Sequence, residues 1–481
     1  MAHEIGPFST AIDMLAALDA KAISSVELVE MHLARIDKHD EALNAIPVRT
    51  PARALEAAHA ADRARAAGES RALLGLPMTL KESTQVAGLP QSAGIEVFKD
   101  YRPQADGAIA RSVFGAGACL LGKTNIPEAV ADWQADSPVY GRTNNPWDLE
   151  RTPGGSTGGG SAALAAGFTP LEIGSDIGGS IRVPAAYCGV YGHRPSETAV
   201  PRTGSFPLAD RLNPAVVMAV QGPLARSATD LELLFDVVAG PNDLETIGFR
   251  VDLPPARHDR LGDFRVAVMP SLSLAQPSSE MQAKVDELAS MLSAAGAKVG
   301  EAMPAVDHDA YFRDYMTLLV AITSQAQPRA SREESAAEMD RSDPQQDAVA
   351  LGLTIDAAGY MMLLNRRASA QVVWREFFEE WDILVSPTAL DVAFTHQTGD
   401  QRTRSLDVDG REVPYNLNIV YPMWAIYTGQ PATAFPAGLS SAGLPLGLQA
   451  IGPYLEDRTT LRFAQLLERE WHAFEPPPAF V

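Results

Sequence analysis

Only two cysteines, Cys119 and Cys188, occur among 481 residues. That excludes a disulfide scaffold, and no CxxC or Cys/His spacing suits a structural zinc. Basic side chains are also scarce: 39 Lys and Arg against 60 Asp and Glu leave a formal net charge of −21. A chain this acidic is poorly suited to nucleic acid or an anionic membrane surface. No stretch reaches the roughly 18 consecutive apolar residues of a membrane span. The first residues, MAHEIGPFSTAIDML, lack a basic segment followed by an apolar one, so no secretory signal is expected. Reduced thiols and a cytoplasmic location are the expectation. What the chain does have, 46% hydrophobic and 21% charged residues, is the balance of an ordinary globular enzyme.

Periodicity predicts alternating helices and strands. Ser24 and Glu27 form a capping-box signature. Val26, Val29, Leu33 and Ile36 then mark one helix face. Residues 51–69 and 279–295 read as further helices. Short apolar runs at 74–80, 118–122, 171–173, 264–269, 383–385 and 446–451 read as strands. The small residues of 161–167 suit a helix lying deep against a sheet. This pattern argues an α/β fold with a sheet covered on both sides. There is no internal repeat. Residues 326–348 are polar and are expected to form a surface excursion, and 240–263 are rich in loop residues.

The densest chemistry lies between Thr152 and Gly189. Ser156 sits in Gly154-Gly155-Ser156-Thr157-Gly158-Gly159-Gly160, and Ser180 in Gly174-Ser175-Asp176-Ile177-Gly178-Gly179-Ser180, 24 residues apart. Glycine at this density marks backbone that passes close to something or needs positive φ. Hydroxyls presented on such loops suit an acyl-transfer nucleophile, and successive N–H groups suit its oxyanion. The Ser156 loop is not a phosphate loop, because it lacks a GK[ST] ending and the chain has no GxGxxG. The Ser180 loop lacks the GxSxG elbow of α/β-hydrolases. Lys81 closes the apolar run LPMTLK. Buried there it would lose hydration and proton affinity, becoming a base for the serines. Taken alone it also reads as an ordinary solvated lysine at a strand end. His193 ranks below it as a base.

With these residues in place, the chain resembles the amidase signature family of serine hydrolases. The resemblance rests on GGSTGG at 154–159 and GSDIGGSIRVPA at 174–185. It extends through 76–87, 120–128, 140–156, 222–241 and 427–453, nearly the whole chain in order. It implies a single domain over 1–481, with a large twisted mixed β-sheet surrounded by α-helices. Core motifs would span 74–200 and a variable substrate-pocket region about 201–440. It implies Ser180 as nucleophile, Ser156 as bridging serine after a cis peptide bond, and Lys81 as base. The N–H groups of Ile177, Gly178, Gly179 and Ser180 would hold the oxyanion, with Thr157, Asp176 and Arg182 in support. Three positions depart from the family pattern: Thr157 for a second serine, Glu82 for Asp, and Arg194 in Gly-His-Arg-Pro for Lys. No metal or organic cofactor is implied. The expected reaction is hydrolysis of neutral aryl or alkyl amides, with carbamates and esters as further substrates. Trp133, Phe206 and Tyr421 are expected at the substrate, with Tyr311, Tyr315 and Trp424 among the nearby aromatics. The expected partner is the small-molecule substrate, with the chain a monomer or homodimer. Two rival readings stand: a glutaminase-type subunit of a tRNA-dependent amidotransferase, and a catalytically silent binding member.

Overall fold

The computed structural model describes residues 5–481. Its strands, in chain order, are β1 Val48–Arg49, β2 Pro77–Lys81, β3 Cys119–Thr124, β4 Asp136–Ser137, β5 Gly141–Arg142, β6 Leu171–Asp176, β7 Tyr191–Arg194 and β8 Val220–Ala225. They continue with β9 Arg265–Val268, β10 Lys298–Glu301, β11 Ile383–Pro387, β12 Ser405–Val408, β13 Arg411–Pro414, β14 Ala432–Leu439 and β15 Pro445–Ile451. Eleven of them form one sheet in the order β1-β3-β2-β6-β8-β7-β14-β15-β11-β9-β10. Pairing is parallel at β3-β2-β6 and at β11-β9-β10. It is antiparallel through the middle, from β6 to β15. The sheet is therefore mixed, as the resemblance implied.

Side-chain alternation assigns the two faces of the sheet. On β11, Ile383 and Val385 join one hydrophobic cluster and Leu384 the opposite one. On β2 and β6, Met78, Leu80, Leu171 and Ile173 point into the first cluster. Register places Thr79 beside Glu172 and Lys81 beside Thr124, so these four share the other face. Around β2 and β6 that face carries buried polar groups. The helix Gly158–Ala165, every residue of it buried, covers it. Only a helix of small residues could lie this close: a Cβ at Gly159 would sit 2.3 Å from the Asn125 nitrogen.

The capping box at Ser24 and Glu27 is present in full at the start of Ser25–Leu43. The expected helices at 51–69 and 279–295 are Pro51–Ala66 and Ser279–Ala294. Residues 326–348 are largely exposed but not irregular, since they hold Arg329–Ala337 and the start of Pro344–Thr354. Among the described residues, no helix is long and apolar enough to cross a membrane.

Candidate active site

Lys81 is the last residue of β2 and is fully buried. Its Nζ lies 2.7 Å from Ser156 Oγ, 3.0 Å from Thr157 Oγ1 and 3.0 Å from Ser175 Oγ. A neutral amine has two N–H donors and one lone pair, so three hydroxyl partners saturate it. Burial pulls the proton affinity of Lys81 down to about 7, against the opposing pull of Asp176 and Glu172. The Gly155–Ser156 peptide bond is cis. Ser156 is sealed from solvent, whereas Ser180 keeps 9% of its surface. The two loops are tied by Thr157 N–H, which donates to the Ser180 carbonyl at 3.1 Å. Among the described residues, no hydrogen bond joins the Ser156 and Ser180 hydroxyls.

The Ser180 loop is held from both sides. Below it, Asp176 accepts from Gly179 N–H at 3.0 Å and Ile181 N–H at 3.2 Å, and Arg182 Nε donates to it at 3.1 Å. Burial opposes its charge, but Arg182 and Arg194 outweigh that and hold its carboxyl below the usual range. Arg194 also donates to the Asp176 carbonyl at 3.0 Å. Above the loop, Tyr315 Oη donates to the Ile177 carbonyl at 3.0 Å and Trp133 Nε1 to the Gly178 carbonyl at 3.1 Å. In a trans peptide the C=O and N–H point opposite ways. Anchoring the Ile177 carbonyl on Tyr315 therefore turns Gly178 N–H to the other side. One expectation needs correcting here: Gly179 N–H is occupied by Asp176, because a buried carboxylate must find donors. Among the described residues, the N–H groups of Ile177, Gly178 and Ser180 have no partner. Gly179 is needed for shape instead. Its φ is +90°, and a Cβ would meet Pro422 Cγ at 2.8 Å.

The expected substrate residues separate. Trp133 touches the loop, as described. Tyr421 is 1% exposed and its hydroxyl donates to the Ala275 carbonyl at 3.1 Å, so it belongs to the core. Phe206 is half-buried on its own loop, where its carbonyl accepts from Ala209 N–H. Tyr311 and Trp424 stack at 4.6 Å inside the core. His193 is buried and paired with Asp457 at 3.2 Å and Thr433 at 2.9 Å, so its ring is committed to structure. Beside Trp133 opens a cavity of about 610 Å³, lined by Glu128, Asp132, Gln134, Asp136, Gln397 and Arg404 among others. The Asp132 carbonyl packs against Gly155, 2.3 Å from where a Cβ would stand. The cavity therefore flanks the serine loops.

Sequence reasoning passed over two features. Glu172, on the face of Lys81, is fully buried. Its signal was a charged residue inside the apolar run PLEIG. Gly117–Thr124, GACLLGKT, matches the GxxxxGK[ST] phosphate loop letter for letter. Cys119–Thr124 is a strand rather than a loop, and Lys123 Nζ donates to the Pro90 carbonyl, so the match carries no phosphate site.

An enclosed amine of lowered proton affinity, hydroxyls beside it and free N–H groups around an accessible serine are the parts that acyl-transfer chemistry uses. The comparisons agree in class. A family model described as Amidase matches residues 27–461, and the chain belongs to the amidase signature family, hydrolases of carbon–nitrogen bonds. It is 32% identical to a glutamyl-tRNA(Gln) amidotransferase subunit from Geobacter metallireducens, over 95% of this chain and 96% of that one. Among solved structures, it resembles a bacterial aryl acylamidase of the same family. That match has a TM-score of 0.81 and 26% identity, covering 97% of this chain and 96% of the other. A 6-aminohexanoate cyclic dimer hydrolase matches with a TM-score of 0.79 and 26% identity, over 98% and 99% of the two chains.

Proposed function

We propose that this protein hydrolyses neutral aryl or alkyl amides, and carbamates of similar shape, through an acyl-enzyme. Ser180 Oγ attacks the carbonyl while its proton passes through Ser156 to Lys81. The N–H groups of Ile177, Gly178 and Ser180 take the oxyanion. The proton returns by the same path to the leaving amine, and water then releases the acid. From a carbamate the released carbonate half-ester loses CO₂. The observation that carries this reading is the sealed Lys81 amine, whose three polar partners are all hydroxyls.

The choice of a neutral substrate is supported by the cavity beside Trp133. Among the described residues, Arg404 is the one cation that lines it, and it is already paired with Asp132 at 2.7 Å. A free carboxylate such as that of glutamine would find no uncommitted positive charge there. A neutral amide loses nothing by that arrangement. A second reading, the glutaminase role in an amidotransferase, is favoured by the names of the curated relatives. The discriminating measurement is kcat/KM of the isolated chain for an acetanilide-type amide, a phenyl carbamate and L-glutamine. The proposal expects glutamine to be the poorest of the three. Glutamine as the best substrate would transfer the assignment to the amidotransferase reading.

A further inference from the structure

Glu172 is a carboxyl built into the wall behind Lys81. Register pairs it with Thr79, two residues before Lys81 on the same face of β2. Its Oε1 accepts from Thr124 Oγ1 at 2.9 Å, and Thr124 is the β3 residue paired with Lys81. Its Oε2 has no hydrogen-bond partner among the described residues, although it is buried. Space for the side chain comes from Gly160 in the covering helix. A Cβ there would fall 2.6 Å from Glu172 Cγ and 3.0 Å from Oε1. A buried carboxylate with one free oxygen is costly, so the site favours the protonated acid.

Resting on the reading of Lys81 as the base, we propose that Glu172 is a positioning residue for it, an enclosed carboxyl whose charge state governs how readily the amine gives up its proton. The groups facing Lys81 are few. Thr124 and the hydroxyls of Ser156, Thr157 and Ser175 are neutral. Asp176 is charged but matched by Arg182 and Arg194. Lys123, by alternation, lies on the other face of the sheet. Glu172 is the remaining acid, and Lys81 is the cation that faces it. Burial raises the Glu172 carboxyl and lowers the Lys81 amine from their ordinary values. Both shifts favour one form of the pair, a neutral acid beside a free amine. Moving one proton from acid to amine yields carboxylate and ammonium, in which the base is blocked. Glu172 thus acts as a brake on the base.

The test is the pH profile of kcat/KM for the best amide substrate in wild type, Glu172→Gln and Thr124→Val, with a thermal melt of each. Gln keeps the shape and the acceptor for Thr124 but carries no charge. Its acidic limb should move to lower pH, because the carboxylate–ammonium form that blocks the base is no longer available. Thr124→Val removes a hydrogen bond that favours the carboxylate, so it should move the limb the same way by less. If Glu172→Gln fails to fold, Thr124→Val decides alone. A limb that stays in place, or moves to higher pH, overturns the proposal whatever happens to the rate. Absence of any acidic limb in wild type would instead overturn the assignment of Lys81 as base.

Discussion

Replacing Lys81 with Met should abolish turnover and make stability respond differently to pH. An unfolded lysine holds its proton up to about 10.5, whereas burial lets it go near 7 in the folded chain. Between those values the unfolded chain binds more protons, so wild-type stability rises with pH through this window. Below about 7 the penalty is present in full. At about 1.4 kcal/mol per unit it amounts to roughly 4 kcal/mol at neutrality. Met carries no proton and escapes it. Against that, Ser156, Thr157 and Ser175 each lose a partner, at about 1 kcal/mol apiece. These losses do not depend on pH. The stability of Lys81→Met relative to wild type should therefore fall by about 1.4 kcal/mol per unit as pH rises from about 7.5 to 9.5. Urea unfolding followed by tryptophan fluorescence at three pH values measures it. Parallel lines for the two proteins would show that Lys81 does not titrate in this range and would refute its enclosure as a neutral amine.

Ser180→Ala should remove activity by at least about a thousandfold without changing the melting temperature. A fluorophosphonate probe should label Ser180, and an adduct on another serine would move the nucleophile. For wild type, kcat/KM should rise with pH through about 7 as Lys81 loses its proton. Lys123→Met should keep that limb, because Lys123 faces the Pro90 carbonyl on the other side of the sheet; a lost limb would reassign the base. Gly179→Ala should lower both stability, by about 2 kcal/mol or more, and activity, since its φ of +90° and the contact with Pro422 leave no room for a Cβ. Wild-type behaviour in a urea melt and a rate assay would show that the loop relaxes freely.

The strands and helices that position the site were legible because their signals are local. Ser24 and Glu27 announce a helix start, and the run LPMTLK announces a strand that ends on Lys81. Even the helix at 344–354 left a sign in Asp343-Pro344, an N-cap followed by proline at the first position, within a segment whose polarity suggested only a loop. The sorting of Lys81 from Lys123 was not local. It depends on a β-bulge between Met78 and Thr79 that sets which residues of β3 share the face of Lys81. The fates of Tyr421 and Trp424 were hidden for a similar reason. Aromatics on neighbouring turns fit a pocket wall and a core equally well until their partners from distant segments are known. Gly179 shows the limit of motif reasoning in backbone chemistry, because whether an N–H is free depends on where Asp176 points.

Because Lys81 and Ser156 are wholly enclosed while Ser180 and Ser175 reach solvent, the proposed relay meets water only through the hydroxyls at its two ends. A substrate seated on Ser180 stoppers one of these ends. The proton taken up by the lysine can then reach bulk water only by way of Ser175 until the amine departs.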